Sequence, residues 1–449
     1  MIHRKYLAAT LSFALLFSLC FSFGTSAARE DEPNIRSNAA LLYEVHSGET
    51  IYEKNARQKA YPASTTKIMT ALLALENCEM DEPVTVTRDA LNTITPGSSI
   101  AGLQNGEVLT MYQMLECLLV ASGNDAAAVI ATHIGGSVEK FVEMMNERSA
   151  ELGCTGTHYV NPSGLHDENH YTTAEDLLKV TVEAMKYPVF VEIVGTAQVT
   201  IPETNKVDHP RYFNNTNQLI SQAVTSENLY SKATGVKTGH TTPAGYCLVS
   251  SAEDAGLSFI AVVLGGYIGE EDGRNYSYVD SINLFLWGFS DFGYQTVVNS
   301  SDPVTELEIG LAKEKDFVVL CAAEDVTAFL HEDDDINEIF TKTISVKENI
   351  TAPVEAGEVL GSMTVMRGTE VYARVDLIAM NTVERSAGLY YFEQLGSFFA
   401  KPGVRAVVAL LIAGLVVYIT FIIIYNKRRR NINRRKRLRG LDDDDESVQ

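Results

Sequence analysis

The chain has 449 residues, more than one ordinary domain needs, and its 46% hydrophobic and 21% charged residues exclude a disordered chain. Residues 29–404 carry 24 Lys and Arg against 53 Asp and Glu, a surface that repels phosphate backbones and excludes a nucleic-acid partner. Beyond residue 28, Cys78, Cys117, Cys154, Cys247 and Cys321 form no C-x-x-C pair and offer neither a disulfide framework nor a metal set.

In chain order, His3, Arg4 and Lys5, the apolar run Leu11 to Phe23 and the small residues Thr25-Ser26-Ala27-Ala28 read as a cleaved signal peptide over 1–28. Residues 29–38 read as a loose polar spacer. Ala40-Leu41-Leu42-Tyr43 and Thr50-Ile51-Tyr52 flank a Ser47-Gly48 turn and predict a β-hairpin. Ser64 to Leu75 predicts an apolar helix. Thr110 with Gln113 three residues on predicts a capped helix carrying Met111, Met114, Leu115, Leu118 and Leu119. Asn124 to Ile134, ending at Gly135-Gly136, and Val138 to Leu152 predict two more. After Thr234 the pattern changes. Gly245 to Ser251 and Leu257 to Leu264 predict adjacent antiparallel strands around a Glu253-Asp254-Ala255-Gly256 turn, and Asp280 to Phe289 predicts a closing helix. Residues 39–295 are therefore expected to form one α+β domain, an antiparallel sheet with flanking helices.

Short Val/Ile/Thr runs with Gly turns over 302–385 predict a small all-β domain. Residues 386–403 read as an amphipathic juxtamembrane stretch. Residues 404–425 hold one charge, Arg405, and suit a transmembrane helix. The basic residues Lys427 to Arg430 and Arg434 to Arg439 follow it in the 426–449 tail. That asymmetry predicts a single-pass protein at the cell membrane, with its C-terminus cytoplasmic and everything before residue 404 outside.

Three short words carry the chemistry: Ser64-Thr65-Thr66-Lys67, Ser122-Gly123-Asn124 and Lys237-Thr238-Gly239. A serine hydroxyl needs a base before it can attack a carbonyl, and a neutral lysine can be that base. On a helix, Lys67 lies one turn from Ser64 on the same face. Burial, or a second cation such as Lys237, would favour its neutral form. Ser122 can relay a proton, and the amide of Asn124 can hold both Lys67 and a substrate amide. Lys237 and Thr238 offer a cation and a hydroxyl to a carboxylate, while Gly239 lets a substrate backbone lie close. The backbone N–H groups of Ser64 and His240 are the expected oxyanion hole.

From Asn38 to about Gly266 the chain resembles the serine-type D-alanyl-D-alanine carboxypeptidases, the low-molecular-mass penicillin-binding proteins. The resemblance rests on the three words and on Tyr61-Pro62-Ala63-Ser64-Thr65-Thr66-Lys67-Ile68-Met69-Thr70, Asn161-Pro162-Ser163-Gly164-Leu165 and Gly235 to Gly245. It implies a transpeptidase/β-lactamase-like catalytic fold and acylation of Ser64 by the penultimate D-Ala carbonyl of a peptidoglycan stem peptide. Release of the terminal D-Ala and hydrolysis of the acyl-enzyme follow. Catalytic roles fall to Ser64, Lys67, Ser122 and Asn124, and substrate binding to Lys237, Thr238, Gly239, His240 and Thr241. β-Lactams are the implied covalent inhibitors, and no cofactor or metal is implied.

The His166 and His170 pair, four residues apart, has no obvious third ligand, and Glu332-Asp333-Asp334-Asp335 lacks the spacing of a calcium loop. A β-lactamase would use the same three words, but residues 154–176 hold no Glu-x-x-x-Asn element to activate the deacylating water. An endopeptidase cannot be separated from a carboxypeptidase on these residues. A tethered peptidoglycan-binding protein with a vestigial site is the non-enzymatic alternative, opposed by the intact motif residues.

Overall fold

The computed structural model describes residues 32–442; the expected signal peptide and residues 443–449 lie outside the described residues. Two compact units emerge, one of residues up to 293 with Phe329–Glu332, the other of residues 294–328 and those from 333 onward.

In the first unit, alternation of apolar side chains builds a five-stranded antiparallel sheet. Its strands are Ala39–Glu44, Glu49–Lys54, Ala233–Thr241, Gly245–Asp254 and Leu257–Gly266. Glu49–Lys54 and Ala233–Thr241 form the two edges. Successive residues point to opposite faces. Leu41, Ile260 and Val262 face a helical core with Ile68, Leu72, Leu115, Leu118 and Ile130, while Leu42, Phe259 and Ala261 face a second core with Leu284, Phe285 and Trp287. Each such large side chain contributes roughly 1.5–3 kcal/mol on burial.

Local chemistry explains the boundaries. Thr110 and Gln113 form a reciprocal capping box that starts helix Met111–Leu119. Helix Asn124–Gly135 stops at Gly136, whose φ of 75° is open to glycine at little cost. The closing helix is longer than expected, Tyr276–Asp291, because Asn275 caps it by accepting from the Ser277 amide. Nor is the spacer loose from Ile35 onward. Ile35 enters the second core, and the Arg36 and Ser37 amides donate to the buried Asp280 carboxylate.

The second unit contains a five-stranded antiparallel sheet in the order Thr305–Glu308, Phe317–Ala322, Glu370–Ala379, Val359–Arg367 and Phe340–Val346. Asp335, from the acidic run, caps the short helix Ile336–Ile339. Helix Ala387–Ala400 and helix Pro402–Asp442 follow. Residues 402–435 of the latter are long and apolar enough to cross a membrane, and its apolar side chains, such as Leu411 and Ile423, are exposed.

Candidate active site

The first motif does not open as an α-helix. Ala63–Thr66 is a 3₁₀ turn, and the α-helix runs from Lys67 to Asn77. In a 3₁₀ turn residues i and i+3 nearly eclipse, which brings Lys67 over Ser64. Lys67 Nζ lies 2.9 Å from Ser64 Oγ, 2.7 Å from Asn124 Oδ1 and 2.8 Å from the Ser163 carbonyl oxygen. Its side chain is fully buried. Burial pushes the ammonium well below the ordinary lysine range, the Lys237 charge pushes it the same way, and Asp125 opposes them.

Each partner is held from behind. Asn161 Oδ1 accepts from the amides of Ser163, Gly164 and Leu165, which turns the Ser163 carbonyl toward Lys67. Thr70 Oγ1 donates to the Pro162 carbonyl at 2.6 Å, tying that loop to the Lys67 helix. Gly164 is obligatory here: at φ 84°, an added Cβ would sit 1.8 Å from the Ala63 carbonyl oxygen. Ser122, with φ 57°, and Ala63, with φ 49°, both occupy the left-handed region. Such backbone costs about 1–2 kcal/mol in a non-glycine residue and persists only where its surroundings impose it. Around Ser122 the Asp125 carboxylate does so, accepting from the amides of Ala101, Leu103 and Ala126. A side chain at position 123 would lie 2.7 Å from Asp125 Oδ1, so Gly123 is the residue that fits.

The third motif lies on the edge strand Ala233–Thr241. A Cβ at Gly239 would come within 2.9 Å of Ser64 N and the Pro62 carbonyl oxygen, so this strand lies directly against the Ser64 turn. Lys237 Nζ donates to the Thr238 carbonyl at 3.1 Å and to Thr216 Oγ1 at 3.4 Å, and Thr216 and Thr238 share a 2.6 Å hydroxyl contact. Burial pulls the Lys237 ammonium from 10.5 to about 7. His240 is exposed beside the Tyr246 ring, and Thr241 closes the strand.

Ser64, Lys67 and Asn124 are thus joined by direct hydrogen bonds, and the Gly239 strand abuts them. Ser122 is buried at its turn, and the three acceptors around Lys67 are Ser64, Asn124 and Ser163.

The profile described as D-alanyl-D-alanine carboxypeptidase matches residues 26–267, more than half of the chain. The chain belongs to this family. It is a serine-type D-alanyl-D-alanine carboxypeptidase of the penicillin-binding proteins, acting in peptidoglycan maturation. A second profile, penicillin-binding protein 5 C-terminal domain, matches residues 292–385. D-alanyl-D-alanine carboxypeptidase DacF of Bacillus subtilis is 31% identical over 394 residues, 86% of this chain and 97% of that protein. Penicillin binding protein 5 from Haemophilus influenzae superposes with a TM-score of 0.55 at 28% identity, covering 79% of this chain and 99% of that one. The Streptomyces K15 DD-transpeptidase gives a TM-score of 0.52 at 30% identity, covering 58% and 99%.

Local contacts also account for the histidine pair. Val160 N–H donates to His170 Nδ1, which leaves Nε2–H to donate to Thr66 Oγ1 at 2.9 Å. Burial lowers this imidazole to about 4 and keeps it neutral. His166 instead packs edge-on against Tyr61. The two rings do different jobs, and His170 braces the Ser64 turn through Thr66. Elsewhere, Cys78, Glu82 and His133 bring possible ligand atoms within 4.8 Å of one another; the imidazole and carboxylate already pair at 2.5 Å. Thr216, Asp125, Asn161 and the Ser163 carbonyl are site residues that the motif reading left without roles. Asn161 and Ser163 lay inside a quoted stretch, and Asp125 adjoined Asn124. Thr216 had only a polar neighbourhood, Asn214 to Gln218, to mark it.

Proposed function

We propose that Ser64 is the nucleophile and that neutral Lys67 is its base. One observation carries this reading. Of the three groups around Lys67 Nζ, Asn124 Oδ1 and the Ser163 carbonyl can only accept, whereas the Ser64 hydroxyl can give a proton. A neutral amine has two N–H donors and one lone pair. Donating to the two pure acceptors aims the lone pair at Ser64 Oγ.

The steps follow. Lys67 takes the Ser64 proton, and Oγ attacks the penultimate D-Ala carbonyl of a stem peptide. The Ser64 and His240 amides receive the oxyanion, each such donor worth about 3 kcal/mol. The C–N bond breaks as Lys67, through Ser122, returns the proton to the departing D-Ala amine. Water, deprotonated by the same lysine, then hydrolyses the ester. Lys237 with Thr238 holds the terminal carboxylate, Asn124 the substrate amide, and Thr241 extends the binding strand past Gly239. A β-lactam opens on Ser64 by the same attack and stays as a long-lived ester. The C-terminal helix would anchor the enzyme with catalysis outside the cell and the basic tail in the cytoplasm, a reading that the charge asymmetry around residues 404–425 supports.

The test is release of D-Ala from a pentapeptide ending in D-Ala-D-Ala. Ser64→Ala must abolish it; release at the wild-type rate would reject the assignment.

A further inference from the structure

A second cluster of ligand-type side chains lies away from the reacting groups. Cys78 Sγ, the Glu82 carboxylate and the His133 ring each bring one atom to within 4.8 Å of the others. Spacing could not disclose the set, because His133 is 51 residues from Glu82. Its place in the fold gives it meaning. Cys78 caps the C-terminus of helix Lys67–Asn77, and His133 lies in the last turn of helix Asn124–Gly135. These helices begin at Lys67 and Asn124, whose side chains meet at 2.7 Å. At a rise of about 1.5 Å per residue, Cys78 lies about 16 Å from Lys67 along one axis and His133 about 14 Å from Asn124 along the other. The two helices are thus joined by a hydrogen bond at one end and brought together by the cluster at the other.

The donor set suits a dication of intermediate softness. Thiolate, imidazole and carboxylate are the three side-chain types that zinc takes, and water can fill the fourth position of its tetrahedron. With bonds of about 2.0–2.3 Å, tetrahedral ligand atoms lie about 3.3–3.6 Å apart. His133 Nε2 and Glu82 Oε1, now 2.5 Å apart, therefore need to open by only about 0.8 Å to admit the ion. The carboxylate is already aimed. The Glu79 amide donates to Glu82 Oε2 at 3.2 Å, which leaves Oε1 to face the ring. Its loop is pinned as well, Met111 N donating to the Glu82 carbonyl at 3.1 Å and Tyr112 N to the Met80 carbonyl at 2.9 Å. Residues 76–82 hold Glu76, Glu79, Asp81 and Glu82 and no Lys or Arg, and Arg148 answers Glu76 from outside the segment. The local field favours a cation.

We propose that Cys78, Glu82 and His133 bind one Zn²⁺, which clamps together the far ends of the helices that present Lys67 and Asn124. Cys78 binds as the thiolate, its proton passing to solvent, and His133 as the neutral imidazole with its proton on Nδ1. The ion lies too far from Ser64 to touch the reacting groups, so its effect is on stability.

The test adds Co²⁺ and then Zn²⁺ to the full-length protein, stripped of metal and kept reduced. One equivalent of Co²⁺ should produce a thiolate-to-cobalt charge-transfer band with the intense visible bands of four-coordinate cobalt, and Zn²⁺ should erase both. Zn²⁺ at a hundred times its dissociation constant should raise the melting temperature by about 5 °C. Cys78→Ser should abolish the charge-transfer band. His133→Gln should weaken binding by about 100-fold or more, at or beyond the loss expected from removing an outer-shell partner. Both variants should lose the zinc-dependent shift while keeping the circular dichroism of the wild type. A wild-type protein without the charge-transfer band, a band that survives Cys78→Ser, affinity unchanged in His133→Gln, or a melting temperature indifferent to Zn²⁺ would each overturn the clamp.

Discussion

Replacing Lys67 with methionine keeps the length of a fully buried side chain and removes its amine. If that amine is the base, acylation loses a general-base contribution of about 10²–10⁴-fold, roughly 3–5 kcal/mol of barrier. The Asn124 Oδ1 and Ser163 carbonyl acceptors also lose their donor, at about 1–3 kcal/mol for each group left buried without a partner. Stability carries a second, pH-dependent signature. The lysine is depressed well below 10.5 in the folded protein. Between the depressed value and 10.5 the unfolded chain therefore binds more protons, and wild-type stability rises with pH. Methionine has no such slope. The stability of Lys67→Met relative to wild type should accordingly decline as pH rises toward 10, whatever the loss from the orphaned acceptors. Stopped-flow acylation by a fluorescent penicillin measures the first effect, and urea melts at several pH values the second. Acylation within tenfold of wild type, or a stability difference independent of pH, would refute the reasoning.

Gly164→Ala forces a Cβ to within 1.8 Å of the Ala63 carbonyl at a left-handed φ. It should cost about 2–5 kcal/mol by denaturant melts and slow acylation by shifting Ser163 from Lys67. The pH profile of kcat/KM should be a bell, its acid limb from Lys67 losing its base form and its basic limb from Lys237 losing the charge that holds the carboxylate. Because burial brings Lys237 to about 7, that limb lies far below an ordinary lysine, and Lys237→Arg should move it upward. A chain ending at Lys401 should fractionate as soluble and still acylate, while the full chain stays with membranes.

What the sequence disclosed depended on how local the cause was. Ser64 and Lys67 sit three apart, so their meeting needs only one turn, and the capping box at Thr110 and Gln113 is written within four residues. The hairpin after Ala39 and the strand pair around Ala255-Gly256 are equally local, two alternating runs and a turn. Thr216 was illegible because its value comes from contact with Thr238, 22 residues away across the fold. Asp280 likewise reaches back 243 residues to fix Ser37, which made an ordered segment look like a spacer. Helix Ala174–Met185 was missed although it had its signals, a Thr173 cap with Glu175 and Asp176 in the first turn. The 3₁₀ opening of the Ser64 segment was not readable, since it answers to the Gly239 strand and the Gly164 loop packed against it.

The most direct measurement is intact-protein mass spectrometry after β-lactam exposure, followed by peptide mapping of the adduct. One β-lactam mass on the peptide holding Ser64, missing from Ser64→Ala and slow to disappear, is the predicted outcome. An adduct on another residue, or rapid return of unmodified protein with hydrolysed β-lactam in solution, would contradict it.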